Sequence, residues 1–248
     1  MKRLFMASLL ALAAASSVQA AIITQWDFGT GTLTPNIGAG TANYVGGVAA
    51  SGSGFATGVT GSGWNTTTYA AQGAGSGTRG VLFLTSTVGY EDITVSLDHR
   101  ASGTASRWAR FEYTTDGGTS WTAHSNNAGG LSPHDTFYNF NIDLSSLSSV
   151  DNNPNFGFRV VSIFSPQAFD QNASLADFGA NTAYMRANAQ ASYTPGGGVG
   201  TSDYGAGGTW RFDNVTINGT AVVPEPSSMI LLLAASTAGL VVRSRRRS

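Results

Sequence analysis

The body of this 248-residue chain predicts an all-β fold, an antiparallel two-sheet β-sandwich of jelly-roll or lectin-like type. Three observations carry that prediction. Short apolar runs alternate with turn signals rich in glycine, asparagine and serine. Several of those runs alternate with a period of two, as a half-buried strand does. No stretch of the body sustains a helical period.

The elements follow in order along the chain. Ile22 to Phe28 reads as a first strand. Gly29 to Gly80 is dominated by small residues, with Tyr44, Phe55, Trp64 and Tyr69 as scattered anchors and no readable strand limits. Val81 to Leu84 reads as a short strand buried on both faces. Ile93, Val95 and Leu97 alternate with Thr94 and Ser96, one apolar face against one polar face. Ser106 to Thr114 carries Trp108, Phe111 and Tyr113, and a turn leads from it to Trp121. Phe137, Phe140, Ile142 and Leu144 mark the next strand; Phe156, Phe158 and Val160 mark the one after. Trp210 to Ile217 closes the domain, but Trp210 and Phe212 fall on one face while Val215 and Ile217 fall on the other. A β-bulge near Asp213-Asn214 would reconcile the two phases. Between these last strands, Ser165 to Gly208 is expected to be a long loop excursion, with a short helical turn around Ala173 to Phe178.

Both ends differ from the body. Lys2 and Arg3 precede an apolar run from Leu4 to Val18, and Val18-Gln19-Ala20 puts small residues at the −3 and −1 positions of a cleavage site. Residues 1–20 therefore read as a signal peptide cut by signal peptidase, which leaves 21–222 as the β-sandwich domain. At the other end, Pro224 and Pro226 fix φ and lack an N–H, so Val223 to Pro226 is extended. Residues 227–242 carry no charge and would span about 24 Å as a helix, short of a hydrocarbon core of about 30 Å. Bilayer thinning and a snorkelling Arg243 can accommodate that shortfall, so 227–242 reads as a single transmembrane helix. Arg243, Arg245, Arg246 and Arg247 form a basic stop that places the C-terminus in the cytoplasm and the body outside.

This tail, 223–248, resembles the PEP-CTERM sorting signal of exported bacterial proteins, with Pro224, Glu225 and Pro226 as the motif, followed by the apolar run and the basic end. The resemblance implies an exosortase-like membrane sorting enzyme as partner, transient anchoring in the inner membrane, and delivery to the cell surface or beyond. It implies an association with exopolysaccharide or biofilm, and it covers the tail alone. In the body, Ser86 to Trp108, with Thr87 to Tyr90 and Ser96 to Ser102, and the closing Arg211 to Val215 are similar to exported bacterial jelly-roll-like sandwich domains, a likeness that implies a fold and no activity.

Composition narrows the function classes. The chain has no cysteine, which excludes a disulfide scaffold and cysteine-ligated metals. Between residues 21 and 222 stand seven arginines, no lysine and thirteen acids, a charge of about −6. A body without a basic patch does not suit nucleic acid, whose phosphates need clustered cations. His99, His124 and His134 are the only histidines, and no nucleophile elbow or zinc-binding helix motif accompanies them. Asp98 and Arg100 flank His99, but neighbours on a strand point to opposite faces.

Three constellations remain as candidates. Thr114 to Trp121 matches the Asp-box pattern, in which Asp116 would bond the turn's own amides; its single occurrence favours a folding element. In similar jelly-roll modules an acid at the position of Asp213 helps hold a structural Ca2+ near the first strand, and Asp27 is the matching partner; an ordinary turn acid is the alternative. Trp64, Tyr69, Tyr184, Tyr193 and Tyr204 lie in loop-like, polar surroundings, so their rings either stack on pyranose sugars or cap the ends of the core. The functional expectation is a non-catalytic envelope or matrix protein that meets extracellular polysaccharide. A purely structural surface protein and a secreted hydrolase are the alternatives.

Overall fold

The computed structural model describes residues 20–166, 183–188 and 204–222. They form two antiparallel sheets and no α-helix; a single 3-10 turn spans Ser148–Val150. The strands are β1 (Ala20–Trp26), β2 (Gly40–Val45), β3 (Ala49–Thr57), β4 (Ser62–Thr67), β5 (Gly80–Thr85) and β6 (Tyr90–Ala101). After them come β7 (Ala109–Thr114), β8 (Thr122–Asn126), β9 (Tyr138–Asp143), β10 (Phe156–Ser162) and β11 (Trp210–Ala221). The first sheet runs β3-β4-β11-β6-β9, with β1 also paired to β11; the second runs β2-β5-β10-β7-β8.

Strand β11 organises the first sheet. Its opening residues Trp210 to Phe212 pair with β4, and Val215 to Thr220 pair with β1. The phase slip expected near Asp213-Asn214 falls between these two partners. Asn214 adopts φ +47°, a left-handed value that asparagine tolerates, and the inward set changes from Trp210 and Phe212 to Val215 and Ile217.

One core joins the two sheets. The Phe83 ring of β5 lies 5.1 Å from Trp26 of β1 and 5.9 Å from Trp64 of β4, while Phe111 of β7 lies 5.5 Å from Phe140 of β9. Tilted and edge-on packing of this kind suits the ring quadrupoles. Burial of each such side chain stabilises the fold by about 1.5–3 kcal/mol. On β6 the alternation read from sequence holds: Ile93, Val95 and Leu97 face the core, and the same row continues inward through His99 and Ala101.

Two expectations change. The glycine-rich stretch without readable limits holds three strands, β2 to β4. Few of their side chains reach the core, and β3 contains a register shift between Ala50 and Phe55 where Gly52 and Gly54 take positive φ. Gly40 in β2 is required sterically, because a Cβ there would sit 2.8 Å from the Trp26 indole. The run Val81 to Leu84 is not buried on both faces. Val81 and Phe83 enter the core, whereas Leu82 and Leu84 are half-buried on the opposite side of the sheet. The expected helical turn at Ala173 to Phe178 lies outside the described residues.

Candidate functional site

Four of the five candidate stacking aromatics are core residues. Trp64 is fully buried and donates Nε1 to the Tyr44 hydroxyl at 3.1 Å. Tyr69 packs 4.8 Å from Trp210, with its hydroxyl 2.6 Å from Thr66 Oγ1. Tyr184 and Tyr204 stack on one another at 4.4 Å in a small cluster with Ala70 and Phe164. None of these four rings offers the exposed face that stacking on a sugar needs. Large aromatic surface is favoured inside unless something else covers it, and here the core and the second cluster take it. Tyr193 lies outside the described residues.

Asp213 is buried, and backbone amides surround its carboxylate. Oδ2 accepts Val59 N at 2.7 Å and Thr60 N at 3.3 Å; Oδ1 accepts Asn214 N at 2.8 Å. Burial pushes the Asp213 carboxyl upward, against the opposing pull of these amides. The acid thus ties β11 to the turn between β3 and β4. A Cβ at Gly58 would come within 2.3 Å of its Oδ2, so the turn must approach as glycine. Asp27 Oδ1 accepts the Gly29 amide at 3.0 Å, a local turn bond. Among the described residues no group of three or more His, Cys, Asp or Glu forms a candidate metal cluster.

The histidines do not converge either. His99 is fully buried, stacked 4.4 Å from Phe212 and edge-on to Trp210 at 4.6 Å, and neither ring nitrogen has a hydrogen-bond partner. Burial pushes its imidazole down to about 3. Its neighbour Asp98 points the other way, where it accepts Asn139 Nδ2 at 2.9 Å and Asn214 Nδ2 at 2.8 Å. His134 lies 3.4 Å from Asp135 Oδ2, and His124 is exposed on β8.

The Asp-box segment forms the turn its pattern implies. Asp116 Oδ2 accepts the Ser120 hydroxyl at 2.6 Å, and its Oδ1 accepts the Ser120 amide at 3.0 Å and the Thr114 hydroxyl at 2.6 Å. These bonds hold the Asp116 carboxyl well below the usual carboxylate range, and Gly117 and Gly118 both take positive φ. Trp121 packs against this turn, its Nε1 donating to the Gly118 carbonyl at 3.1 Å. It is half-buried over the outward face of the second sheet, with the Arg159 guanidinium 4.5 Å from its ring centroid. The other four tryptophans are buried.

Arg159 leads to a cluster that single-residue reading missed. Phe158 and Val160 face the core, so Arg159 faces outward; Phe111 likewise turns Glu112 outward. Arg159 and Glu112 are direct cross-strand partners on β10 and β7. Arg159 pairs with Glu112 Oε2, while Arg110 Nε reaches Oε1 at 2.6 Å. The Glu112 side chain is only 3% exposed. Period-two spacing in Ala109–Thr114 and Phe156–Ser162 was the signal for these outward positions; the pairing register that joins them was not in the sequence.

The sorting residues Pro224, Glu225 and Pro226 and the basic stop Arg243, Arg245, Arg246 and Arg247 lie outside the described residues. Sequence comparison decides their nature: residues 222–247 match the model of the PEP-CTERM protein-sorting motif. The chain carries a PEP-CTERM sorting signal. A PEP-CTERM signal marks an exported protein, anchored transiently in a membrane and processed by an exosortase-type membrane enzyme for sorting to the surface. No curated protein matches the chain. Among the described residues no helix is long and apolar enough to cross a membrane.

Proposed function

We propose that this chain is a non-catalytic surface protein whose body associates with extracellular polysaccharide after PEP-CTERM sorting. A signal peptide over 1–20 starts its export and signal peptidase removes it. The apolar run 227–242 then holds it in the inner membrane with the body outside and the arginine tail in the cytoplasm. The body is a jelly-roll, lectin-like sandwich, a reading supported by two antiparallel sheets around one core. The observation that carries the proposal is the sorting motif at 222–247, which begins one residue after β11 ends at Ala221.

A double substitution, Pro224→Ala with Pro226→Ala, tests it in the native host. The motif lies beyond the last strand, so the body folds as before. The expected outcome is a product that keeps the mass of the tail and accumulates in the inner membrane, whereas the parent chain is trimmed and reaches the surface. A variant with the parent's mass and location refutes the sorting route.

A further inference from the structure

We infer that the outward face of the second sheet, around Trp121, Arg159 and Arg110, is a binding face for a polysaccharide that carries spaced carboxylates among neutral sugars. The inference rests on the surface-association reading above and assigns it a site and a ligand class.

The first observation is one of charge. Two guanidiniums serve one carboxylate: Arg110 and Arg159 each turn their Nε and Nη2 edge to a different oxygen of Glu112. Both oxygens of the glutamate are thereby occupied, and Nη1 of each arginine has no hydrogen-bond partner among the described residues. The cluster keeps one surplus positive charge in a body that is otherwise acidic. The Arg159 side chain is only 17% exposed, so that charge is partly withdrawn from water. An incoming carboxylate would compensate it, and guanidinium is the cation best shaped to accept one.

The second observation is one of shape and polarity. Trp121 is the one tryptophan of five left half-buried, and the same guanidinium lies over one face of its ring, so a sugar would meet the remaining indole surface. Leu84, half-buried on the neighbouring strand, lies flat across β10; a Cβ at Gly157 would meet its Cδ2 at 2.4 Å. Leu82 stands opposite Arg159 on β5. The strip thus runs from β5 over β10 to β7, with strands about 4.8 Å apart, and alternates apolar surface with planar hydrogen-bonding groups. Sugar rings present the same alternation, with C–H faces for the indole and leucines and hydroxyl or carboxylate edges for the arginines. The acidic body disfavours a densely charged polyanion, so spaced carboxylates fit best.

Hyaluronan oligosaccharides, which alternate a uronate with a neutral amino sugar, are a suitable probe. The full-length chain in detergent would be titrated calorimetrically with hyaluronan, with the same oligosaccharide after carboxyl reduction, and with oligoglutamate. Hyaluronan is expected to bind at least about tenfold more tightly than either control, the loss expected for one charge-assisted contact. Trp121→Ala and Arg159→Gln should each weaken hyaluronan binding by about tenfold while thermal unfolding shows the fold intact. If Arg159→Gln does not fold, Trp121→Ala and the comparison of the two glycans on the parent chain decide. Equal affinity for native and carboxyl-reduced glycan, equal binding of oligoglutamate, absence of binding, or a Trp121→Ala protein that binds like the parent overturns the inference. Those results leave the sorting reading standing, because only the proline substitutions test it.

Discussion

His99 gives the sharpest prediction. It occupies an inward position of β6 that a leucine or valine would normally take, between Trp210 and Phe212, with both nitrogens unpaired. The rings packed on it, Phe140 included, carry no charge that could compensate an imidazolium. The folded protein therefore keeps the imidazole neutral down to about pH 3, whereas the unfolded chain protonates it near the ordinary value of 6.5. Below 6.5 the unfolded state binds the extra proton first, so stability is fully present above that pH and is lost as pH falls toward 3. The complete loss amounts to about 5 kcal/mol, and about 2 kcal/mol of it falls between pH 7.5 and pH 5. That upper window lies above the range in which most carboxylates titrate. Urea unfolding of residues 20–222, followed by tryptophan fluorescence at pH 7.5, 6 and 5, measures the slope. The His99→Phe protein should lose that slope while keeping its stability at pH 7.5, because it also removes two unsatisfied buried nitrogens. If the substituted protein weakens with acid as steeply as the parent, the imidazole is not the source and the reasoning fails.

Two further predictions concern buried residues. Asp213→Ala leaves the Val59, Thr60 and Asn214 amides without their acceptor and should cost about 2–4 kcal/mol in the same urea experiment. Calcium or a chelator should move the melting temperature of the parent by less than about one degree; a rise of several degrees with calcium would assign the carboxylate to a metal instead. Trp64→Ala opens a cavity beside Phe83 and should cost about 3–5 kcal/mol, with unaltered glycan affinity in the molecules that remain folded. A folded Trp64→Ala protein that loses glycan binding would return that ring to the binding role.

Much of the fold was legible because period-two alternation is a local signal. β6, β7, β10 and both phases of β11 follow from the spacing of their own apolar residues. The strands β2 to β4 were not legible, since their turns depend on glycines at positive φ and their few core contacts come from distant strands. The candidate site divides in the same way. The tail declared itself through a contiguous motif, whereas Arg110, Glu112, Arg159 and Trp121 become neighbours only through pairing across β7 and β10 and a turn that folds back over them. Trp64 and Tyr69 illustrate the converse, as polar, glycine-rich neighbours in sequence concealed rings that Phe83 of the opposite sheet and Trp210 of β11 cover.

The pairing of the first strand with the last has a consequence for how the chain travels. Ala21 lies against Gly219, and β11, the last of the described strands, sits in the interior of its sheet. That sheet is incomplete until β11 takes its place between β4 and β6. If the chain crosses the membrane unfolded, compaction of the body waits until that strand has crossed. Such long-range closure is intrinsically slow. A membrane-held tail directly behind β11 would give it the time it needs at the far side.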